Sequence, residues 1–203
     1  ELGYEAAKLA ADNFALGSVG AGLGATTVNL KGGIGSASAK TRSGLTVGAI
    51  AAANAAGSMT IGDGLHFWAA PFEQNKEFGG HGWPTTFPAD ALKFRSKGNL
   101  GENTTLALVV TDAKLTKAQA KRLAVMAQSG LSRAIYPVHT PLDGDVVFAV
   151  GMGAKLLPDP VFSLSELGML AANVLARAIA RGVYEATALP FNGALQCWRD
   201  RFA

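Results

Sequence analysis

The chain has 203 residues, of which 49% are hydrophobic and only 16% are charged, and its formal net charge is +3. This balance predicts a folded domain with a sizeable core and argues against a disordered chain. The lysines and arginines are scattered rather than grouped with aromatic residues in a basic stripe, so we expect no nucleic acid partner. A single cysteine, Cys197, rules out an internal disulfide and a cysteine-based metal site. The three histidines have no ligand-like spacing, so we expect no metal or other cofactor.

No feature typical of a membrane or exported protein is visible in the sequence. The longest uncharged stretch, residues 43–62, is rich in glycine and alanine and contains Asn54, which makes it too polar for a membrane span. The chain starts at Glu1 and enters a predicted helix at once, without a targeting segment. We therefore expect a cytoplasmic protein with no membrane partner. The start at a residue other than methionine leads us to expect a truncated or processed beginning.

The first elements are a helix and two glycine clusters. Residues 3–16 have apolar side chains on one side, which predicts a helix that ends at Gly17. The glycine-rich loop 17–25 then follows a helix rather than a strand, which argues against a dinucleotide fingerprint. Such a loop can present backbone N–H groups to an anionic centre, but tight packing is its commoner meaning. Residues 31–38 form the second glycine cluster.

A buried strand is predicted over residues 45–54, and it ends at Asn54. A side-chain amide at a strand end can donate a hydrogen bond to a developing oxyanion, although an asparagine more often opens a turn. Residues 71–103 mix prolines, glycines, polar residues and aromatics of exposed character, such as Phe78 and Trp83, and we interpret them as a long irregular linker. Exposed flexible segments of this kind are where chains are cut.

The linker ends abruptly where a core strand begins. Residues 104–111 are β-branched and aliphatic, which predicts a strand buried on both faces. If the Asn103–Thr104 bond were cut, Thr104 would carry a hydroxyl and a free α-amine on one residue. The amine can then act as the base for its own hydroxyl, and its reference pKa of about 7.7–8.0 suits work near neutral pH.

Two ordinary interpretations of this stretch stay open. Asn103 begins an Asn-Thr-Thr sequence that fits a glycosylation sequon; such a sequon is used in exported proteins, and no signal peptide is visible here. Thr104 also fits as a residue that simply begins a strand, since threonine is common in strands.

The second half of the chain alternates strands and helices. Thr116 and Gln119 form a predicted capping box for a helix that runs to residue 134, and residues 146–150 predict a strand. Ser163 and Glu166 form a second predicted capping box, for a helix that runs to residue 187. This strand–helix–strand–helix order predicts helices layered on a sheet.

Two carboxylates stand just before the later strand. Asp143 and Asp145 flank Gly144, so both side chains lie on one face of an extended chain. Paired carboxylates can split their pKa values, so that one stays charged and orients or deprotonates a hydroxyl. The alternative is an Asp-Gly turn with solvated acids.

Taken together, these residues resemble the DmpA-like family of self-processing peptidases and amidases, and within it the nylon-oligomer hydrolase (NylC-like) branch. The matching segments are residues 17–22, 31–35, 101–105 and 137–145. The Asn-Thr-Thr strand start and the His-Thr-x-x-Asp-Gly-Asp run, at this separation, are the specific part of the resemblance.

The resemblance implies a single catalytic domain over residues 1–203 that is made as an inactive precursor and cuts itself between Asn103 and Thr104. The products, residues 1–103 and 104–203, would stay together in an αββα sandwich of the layered α/β class and assemble into a homotetramer. Thr104 would attack the amide carbonyl of a small peptide or oligoamide and form an acyl-enzyme that water hydrolyses, without a cofactor.

The resemblance also implies roles for four further residues. Asp145 would contact the hydroxyl or the amine of Thr104, and Asp143 would support it. Asn54 falls where the family has an oxyanion-stabilising asparagine, and Lys31 is the candidate for the lysine that the family has near its nucleophile. An upstream part of the family's chain, with its own substrate contacts, is expected to be missing here.

Two other functions remain as alternatives. An acyltransferase of the ornithine acetyltransferase type has the same architecture and the same acyl-enzyme but passes the acyl group to an amine; its characteristic motifs are absent here. A non-catalytic, glycine-rich binding module would keep an intact chain with no free amine at Thr104.

Overall fold

A four-stranded mixed sheet with helices on one face makes up the computed structural model, which describes residues 1–97 and 103–203. The strands are β1 (Gly33–Lys40), β2 (Thr46–Ala53), β3 (Leu106–Ala113) and β4 (Val146–Lys155). The helices are α1 (Leu2–Lys8), α2 (Lys117–Ala134), α3 (Phe162–Tyr184) and α4 (Trp198–Phe202). The sheet order is β1-β2-β3-β4, with antiparallel pairing except between β3 and β4, which are parallel. The predicted α/β class and the strand–helix–strand–helix order after Thr104 are confirmed.

Only one face of the sheet is covered by the described residues. Helices α2 and α3 pack on the face that carries Ala107 and Val109, which are buried. The opposite face carries Leu106 and Phe148, whose exposed fractions are 47% and 56%. The prediction that β3 is buried on both faces is therefore wrong for this chain, because no described residue forms a layer over Leu106. The described residues form one sheet and one helix layer of the two-sheet sandwich that the resemblance implies.

Strand β1 was not predicted, because its glycines are typical of a loop. Here they allow the strand to lie directly against α3. A Cβ atom at Gly33 would collide with the carbonyl oxygen of Gly182, and one at Gly35 would collide with that of Ala178. The second glycine cluster is therefore a strand whose backbone touches the helix backbone.

Helix α1 is shorter than predicted, while α2 agrees with the prediction. The predicted helix 3–16 ends at Lys8, and no residue of α1 is buried. A short helix without a packing surface gains too little to extend, which explains the early end. Helix α2 begins at the predicted capping box: the Gln119 N–H donates to the Thr116 hydroxyl at 3.2 Å, and the Thr116 N–H donates to the Gln119 side chain at 2.8 Å.

Helix α3 begins differently from the prediction. Its first-turn N–H groups at Val161 and Phe162 donate to the Asp159 carboxylate, each at 2.8 Å, so the predicted box of Ser163 and Glu166 is wrong. Glu166 instead accepts the backbone N–H of Arg42 at 3.0 Å. Among the described residues α3 is the one helix with the length and apolar character of a membrane span, and 61% of that stretch is buried inside the protein.

The linker is irregular, as predicted, but it is packed on the core. No helix or strand lies between residues 73 and 97, and the remaining positions of the predicted linker up to residue 102 lie outside the described residues. Phe78 is 1% exposed, which contradicts its predicted exposure, whereas Trp83 is exposed as predicted. Glu77 binds Arg177 of α3 through two hydrogen bonds of 2.5 and 3.0 Å. The linker is thus tied to the helix layer by a nearly buried ion pair.

Replacing Glu77→Gln should lower the free energy of unfolding by about 3 kcal/mol, because it leaves the buried Arg177 guanidinium without its counter-charge. Urea unfolding followed by circular dichroism at pH 7 measures this difference. Glu5→Gln is the control, since its partner Lys8 is solvent-exposed and the change should stay within about 0.5 kcal/mol. Equal effects of the two substitutions would contradict a stabilising role for the Glu77–Arg177 pair.

Candidate functional site

The site forms at one end of the sheet, where the end of β2 lies beside the starts of β3 and β4. The register between β2 and β3 pairs Ala52 with Leu106, so that Asn54 lies opposite Thr104. The Thr104 N–H donates to the Asn54 carbonyl oxygen at 2.8 Å. The parallel register between β3 and β4 pairs Leu106 with Val146 and continues as a bridge between residues 103 and 143. The chain therefore brings Asn54, Asn103, Thr104 and both predicted aspartates together.

The Asn103–Thr104 peptide bond is held by hydrogen bonds on both sides. The Asn103 carbonyl oxygen accepts the Gly144 N–H at 2.8 Å, while the Thr104 N–H is bound to Asn54. A donor on the carbonyl oxygen polarises the carbonyl and stabilises negative charge that develops on it. A Cβ atom at Gly144 would lie 2.6 Å from the Thr104 Oγ1, so only glycine leaves room for this hydroxyl.

Asp143 is anchored by three hydrogen bonds. Its Oδ1 accepts the Ala56 N–H at 3.0 Å, and its Oδ2 accepts the Thr140 N–H at 3.1 Å and the Thr140 hydroxyl at 2.7 Å. The carboxylate thus ties the turn after Asn54 to the loop before β4. The alternative of an Asp-Gly turn with solvated acids does not describe this arrangement.

Asp145 is a buried carboxylate beside the nucleophile candidate. Its side chain is 2% exposed, its Oδ1 accepts the N–H of Thr105 at 2.8 Å, and its Oδ2 lies 3.4 Å from the Nδ1 of His139. Burial raises the pKa of Asp145 above its ordinary value of 3.8; the Thr105 N–H opposes this, and the charge of Asp143 adds to it. The carboxylate is therefore joined to the residue that follows Thr104.

The orientation of the Asn54 amide is set by two donors. Its Oδ1 accepts the Thr26 N–H at 3.1 Å and the Lys97 ammonium at 2.9 Å. With two donors on the oxygen, the Nδ2 group is the end of the amide that can donate. The oxyanion role that the resemblance implies for Asn54 stays a prediction.

Lys31 lies inside the glycine loop and is 1% exposed. Its ammonium donates to the carbonyl oxygens of Gly22, Ala25 and Gly32 at 2.9, 2.7 and 2.7 Å. Burial lowers the pKa of Lys31 to about 8. The loop therefore directs carbonyl groups at a cation rather than N–H groups at an anion. Its connection to the site is Thr26, which follows Ala25 and donates its N–H to Asn54.

The sequence analysis missed four residues of this site, namely Thr26, Lys97, His139 and Thr140. Thr140 and His139 lie in the matched run before Asp143, where a threonine three residues ahead of an aspartate could have indicated a side-chain hydrogen bond. Lys97 and Thr26 carried no local signal, since their contacts with Asn54 span 43 and 28 residues of sequence. Among residues 1–97 and 103–203, no group of three or more metal-ligating side chains is present.

The comparison with known families identifies the class of protein. Residues 2–195 match the family model "Peptidase family S58", and the chain belongs to this family. An uncharacterized aminopeptidase of Mycobacterium tuberculosis is 38% identical over 216 residues, which cover 100% of this chain and 61% of that protein. An uncharacterized aminopeptidase of Mycobacterium leprae is 35% identical over 212 residues, which cover 92% of this chain and 56% of that protein. The chain thus spans about three fifths of the length of these curated relatives.

Solved structures agree with this class. The PH0078 protein from Pyrococcus horikoshii superposes with a TM-score of 0.68 at 26% identity, over 98% of this chain and 54% of that one. A Burkholderia beta-aminopeptidase superposes with a TM-score of 0.61 at 26% identity, over 91% of this chain and 50% of that one. The l-aminopeptidase d-ala-esterase/amidase from Ochrobactrum anthropi superposes with a TM-score of 0.63 at 22% identity, over 93% of this chain and 50% of that one. This likeness shows that the chain shares the variant of the Ntn-hydrolase fold found in that structure. Membership of a peptidase family favours a peptide hydrolase over both alternatives considered above.

Replacing Asp145→Asn should stabilise the folded protein at pH 7, because burial disfavours the charged carboxylate and an asparagine carries no charge. Because the pKa of Asp145 is raised by folding, its contribution to stability is complete below the unfolded pKa of about 3.9 and is lost as the pH rises through the folded pKa. An asparagine cannot ionise, so the difference in the free energy of unfolding between variant and wild type should be largest at pH 7 and smallest near pH 4. Urea unfolding at several pH values measures it.

Asp112→Asn is the control of opposite sign. Burial raises the pKa of Asp112, but hydrogen bonds from Lys155 and from the Thr46 backbone outweigh it, so its pKa lies below 3.8. Its stabilisation is therefore present above the unfolded pKa and is lost as the pH falls, and this variant should be less stable than wild type at pH 7. If Asp145→Asn also destabilised the protein at pH 7, the burial argument for Asp145 would be wrong.

Proposed function

We propose that the chain carries the self-cleaving, catalytic part of an N-terminal-nucleophile aminopeptidase or amidase in which Thr104 is the nucleophile. One observation carries the proposal: the Asn103–Thr104 bond lies between the Gly144 N–H and the Asn54 carbonyl, with the Thr104 hydroxyl against Gly144. Membership of family S58 and the aminopeptidase relatives support it.

The arrangement supports self-cleavage by the following steps. The Thr104 hydroxyl oxygen attacks the Asn103 carbonyl carbon, and its proton passes to the amide nitrogen. The C–N bond then breaks, so that Thr104 gains a free amine and the acyl group stays on the hydroxyl oxygen as an ester. The Gly144 N–H stabilises the negative charge on the Asn103 oxygen during the attack. Water then hydrolyses the ester, which leaves a carboxylate on Asn103 and a free amine on Thr104.

In the cleaved enzyme, the free amine of Thr104 takes the proton of its own hydroxyl as that oxygen attacks the substrate carbonyl. The Asn54 Nδ2 group donates to the oxyanion, and the Gly144 N–H released by Asn103 is a second donor for it. The leaving amine takes the proton from Thr104, and water hydrolyses the acyl-enzyme. Asp145 holds the start of β3 through the Thr105 N–H, and Asp143 positions the loop that carries Gly144.

Lys31 acts in this scheme by holding the glycine loop that supports Thr26 and Asn54. A direct role for Lys31 at the nucleophile stays a prediction. The single cleaved domain, the homotetramer, the cytoplasmic location and the nylon-oligomer branch, with its oligoamide substrates, also stay predictions.

Thr104→Ala should abolish both self-cleavage and amide hydrolysis, because no hydroxyl remains to attack. Thr104→Ser keeps a hydroxyl and an amine and should retain both. Intact-mass spectra under denaturing conditions measure cleavage, with fragments 1–103 and 104–203 expected for wild type and serine variant and one uncut chain for the alanine variant. A cleaved, active Thr104→Ala protein would falsify the proposal.

Gly144→Ala should slow self-cleavage at least tenfold, because the added methyl group displaces the Thr104 hydroxyl from its position. Gly48→Ala is the matched control in the same sheet, since its Cβ would meet no atom closer than 3.7 Å. The time course of fragment formation after expression and purification measures the rate. Equal cleavage rates in the two variants would show that the fit at Gly144 does not matter.

A further inference from the structure

The two oxygens of the buried Asp145 carboxylate have different surroundings. The Oδ1 accepts the Thr105 N–H at 2.8 Å, whereas the Oδ2 accepts no well-aligned hydrogen bond from a described residue. The Nδ1 of His139 lies 3.4 Å from this Oδ2. A buried carboxylate without a partner is costly, so the charge on the His139 ring bears directly on the state of Asp145.

His139 and Asp145 differ in their access to water. The His139 side chain is 39% exposed, and the Asp145 side chain is 2% exposed. His139 lines a surface groove with three uncharged polar side chains of α2, namely Gln128, Ser129 and Ser132. The imidazole can therefore exchange protons with the solvent, while the carboxylate behind it is shielded. This contact lets the pH of the solvent act on the buried carboxylate through an exposed ring.

The backbone holds the His139 ring at this point. His139 has a φ of +56°, in the left-handed region that few residues other than glycine adopt, histidine and asparagine among them. The next residue, Thr140, donates its N–H and its hydroxyl to the Asp143 carboxylate. Asp143 thus fixes the turn that carries His139 and keeps the ring beside Asp145.

Two charged side chains of opposite sign act on Asp145 within the described part of the chain. Burial raises the pKa of Asp145, the Thr105 N–H opposes this, the charge of Asp143 adds to it, and a positive charge on His139 lowers it. The side chains that α2 presents to the groove carry no charge, and neither does Thr105. Among residues 1–97 and 103–203, His139 is therefore the cation that can balance Asp145.

We propose that His139 is a positioning residue for self-cleavage, whose imidazolium keeps Asp145 ionised so that the carboxylate holds the Thr105 N–H next to Thr104. This assignment rests on the proposed function, because cleavage before Thr104 is its readout. Hydrogen bonds to a charged acceptor are about twice as strong as those to a neutral one. Protonation of Asp145 therefore loosens the chain at the nucleophile, and His139 moves this loss to lower pH.

The effect of His139 depends on pH in a defined direction. Histidine ordinarily titrates between about pH 5 and 8, so at higher pH the ring is neutral and gives Asp145 no counter-charge. At lower pH the imidazolium opposes protonation of Asp145, and cleavage persists further into the acid range. His139 thus affects the acid limb of the rate profile, whereas a purely structural role would change the rate at every pH.

The first test compares the pH profile of self-cleavage in wild type and His139→Asn. Uncut precursor, collected in urea, is diluted into buffers between about pH 4 and 9, and the fragments are followed by intact mass. Asparagine also adopts the left-handed region and can donate an N–H, but it cannot take up a proton. The variant should cleave about threefold more slowly on the acid limb and at the wild-type rate above about pH 8.

His81→Asn is the matched control for this profile. His81 is an exposed histidine of the linker, and its ring packs against Trp198 of α4, 5.7 Å between ring centroids. The substitution removes a titrating ring of the same kind but leaves the contact between His139 and Asp145 in place. The His81→Asn chain should therefore keep the wild-type cleavage rate at every pH.

The second test needs no cleavage. In uncut Thr104→Ala protein labelled with carbon-13 aspartate, the carboxyl signal of Asp145 is assigned by its loss in Asp145→Asn. This signal should titrate at a higher pH once His139→Asn is added, because the counter-charge is gone. Adding His81→Asn instead should leave the titration unchanged.

The outcomes separate the two proposals. A wild-type chain that is cut before Thr104, with the same acid limb in His139→Asn, would overturn the role of His139 alone. A rate that falls equally at every pH, or an Asp145 titration that does not move, would also overturn it. A wild-type chain that is never cut at any pH would overturn the proposed function and the role of His139 with it.

Discussion

The register of β2, β3 and β4 is the constraint on which the site depends. Antiparallel pairing of Ala52 with Leu106 brings Asn54 to Thr104, and parallel pairing of Leu106 with Val146 brings Gly144 to the same peptide bond. A slip of one residue in either pair would turn the side chains to the opposite face. The buried face of the sheet prevents such a slip, because it would expose apolar side chains that now pack on α2 and α3. Packing in the core thus sets the geometry of the candidate site.

Charged groups near the site are held mainly by backbone atoms. Lys31 donates to backbone carbonyls of both glycine clusters, and Asp145 accepts the N–H of Thr105, just before β3. Burial shifts both pKa values toward the neutral forms, downward for Lys31 and upward for Asp145. A site made in this way is preorganised, since backbone dipoles in a sheet and a packed loop cannot easily reorient.

The linker is packed on the helix layer, whereas one face of the sheet is left uncovered by the described residues. The linker is anchored through Glu77 to Arg177 of α3. Leu106 and Phe148 lie on the uncovered face, and the chain spans about three fifths of its curated relatives. The described residues therefore contain the proposed nucleophile and both aspartates, while one face of the supporting sheet has no cover of its own.

Local patterns in the sequence were sufficient to predict β2, the start of α2 at Thr116, and the threonine that follows a linker and precedes a strand. These features depend on neighbours within a few residues, as do the two aspartates on one face. The specific resemblance added that Thr104 and the aspartates belong to one site. Only the tertiary structure decided that the glycine cluster forms β1, that Lys31 faces loop carbonyls, and that Lys97 contacts Asn54. These outcomes depend on contacts between residues far apart in the chain, where the partner rather than the local pattern determines what a side chain does.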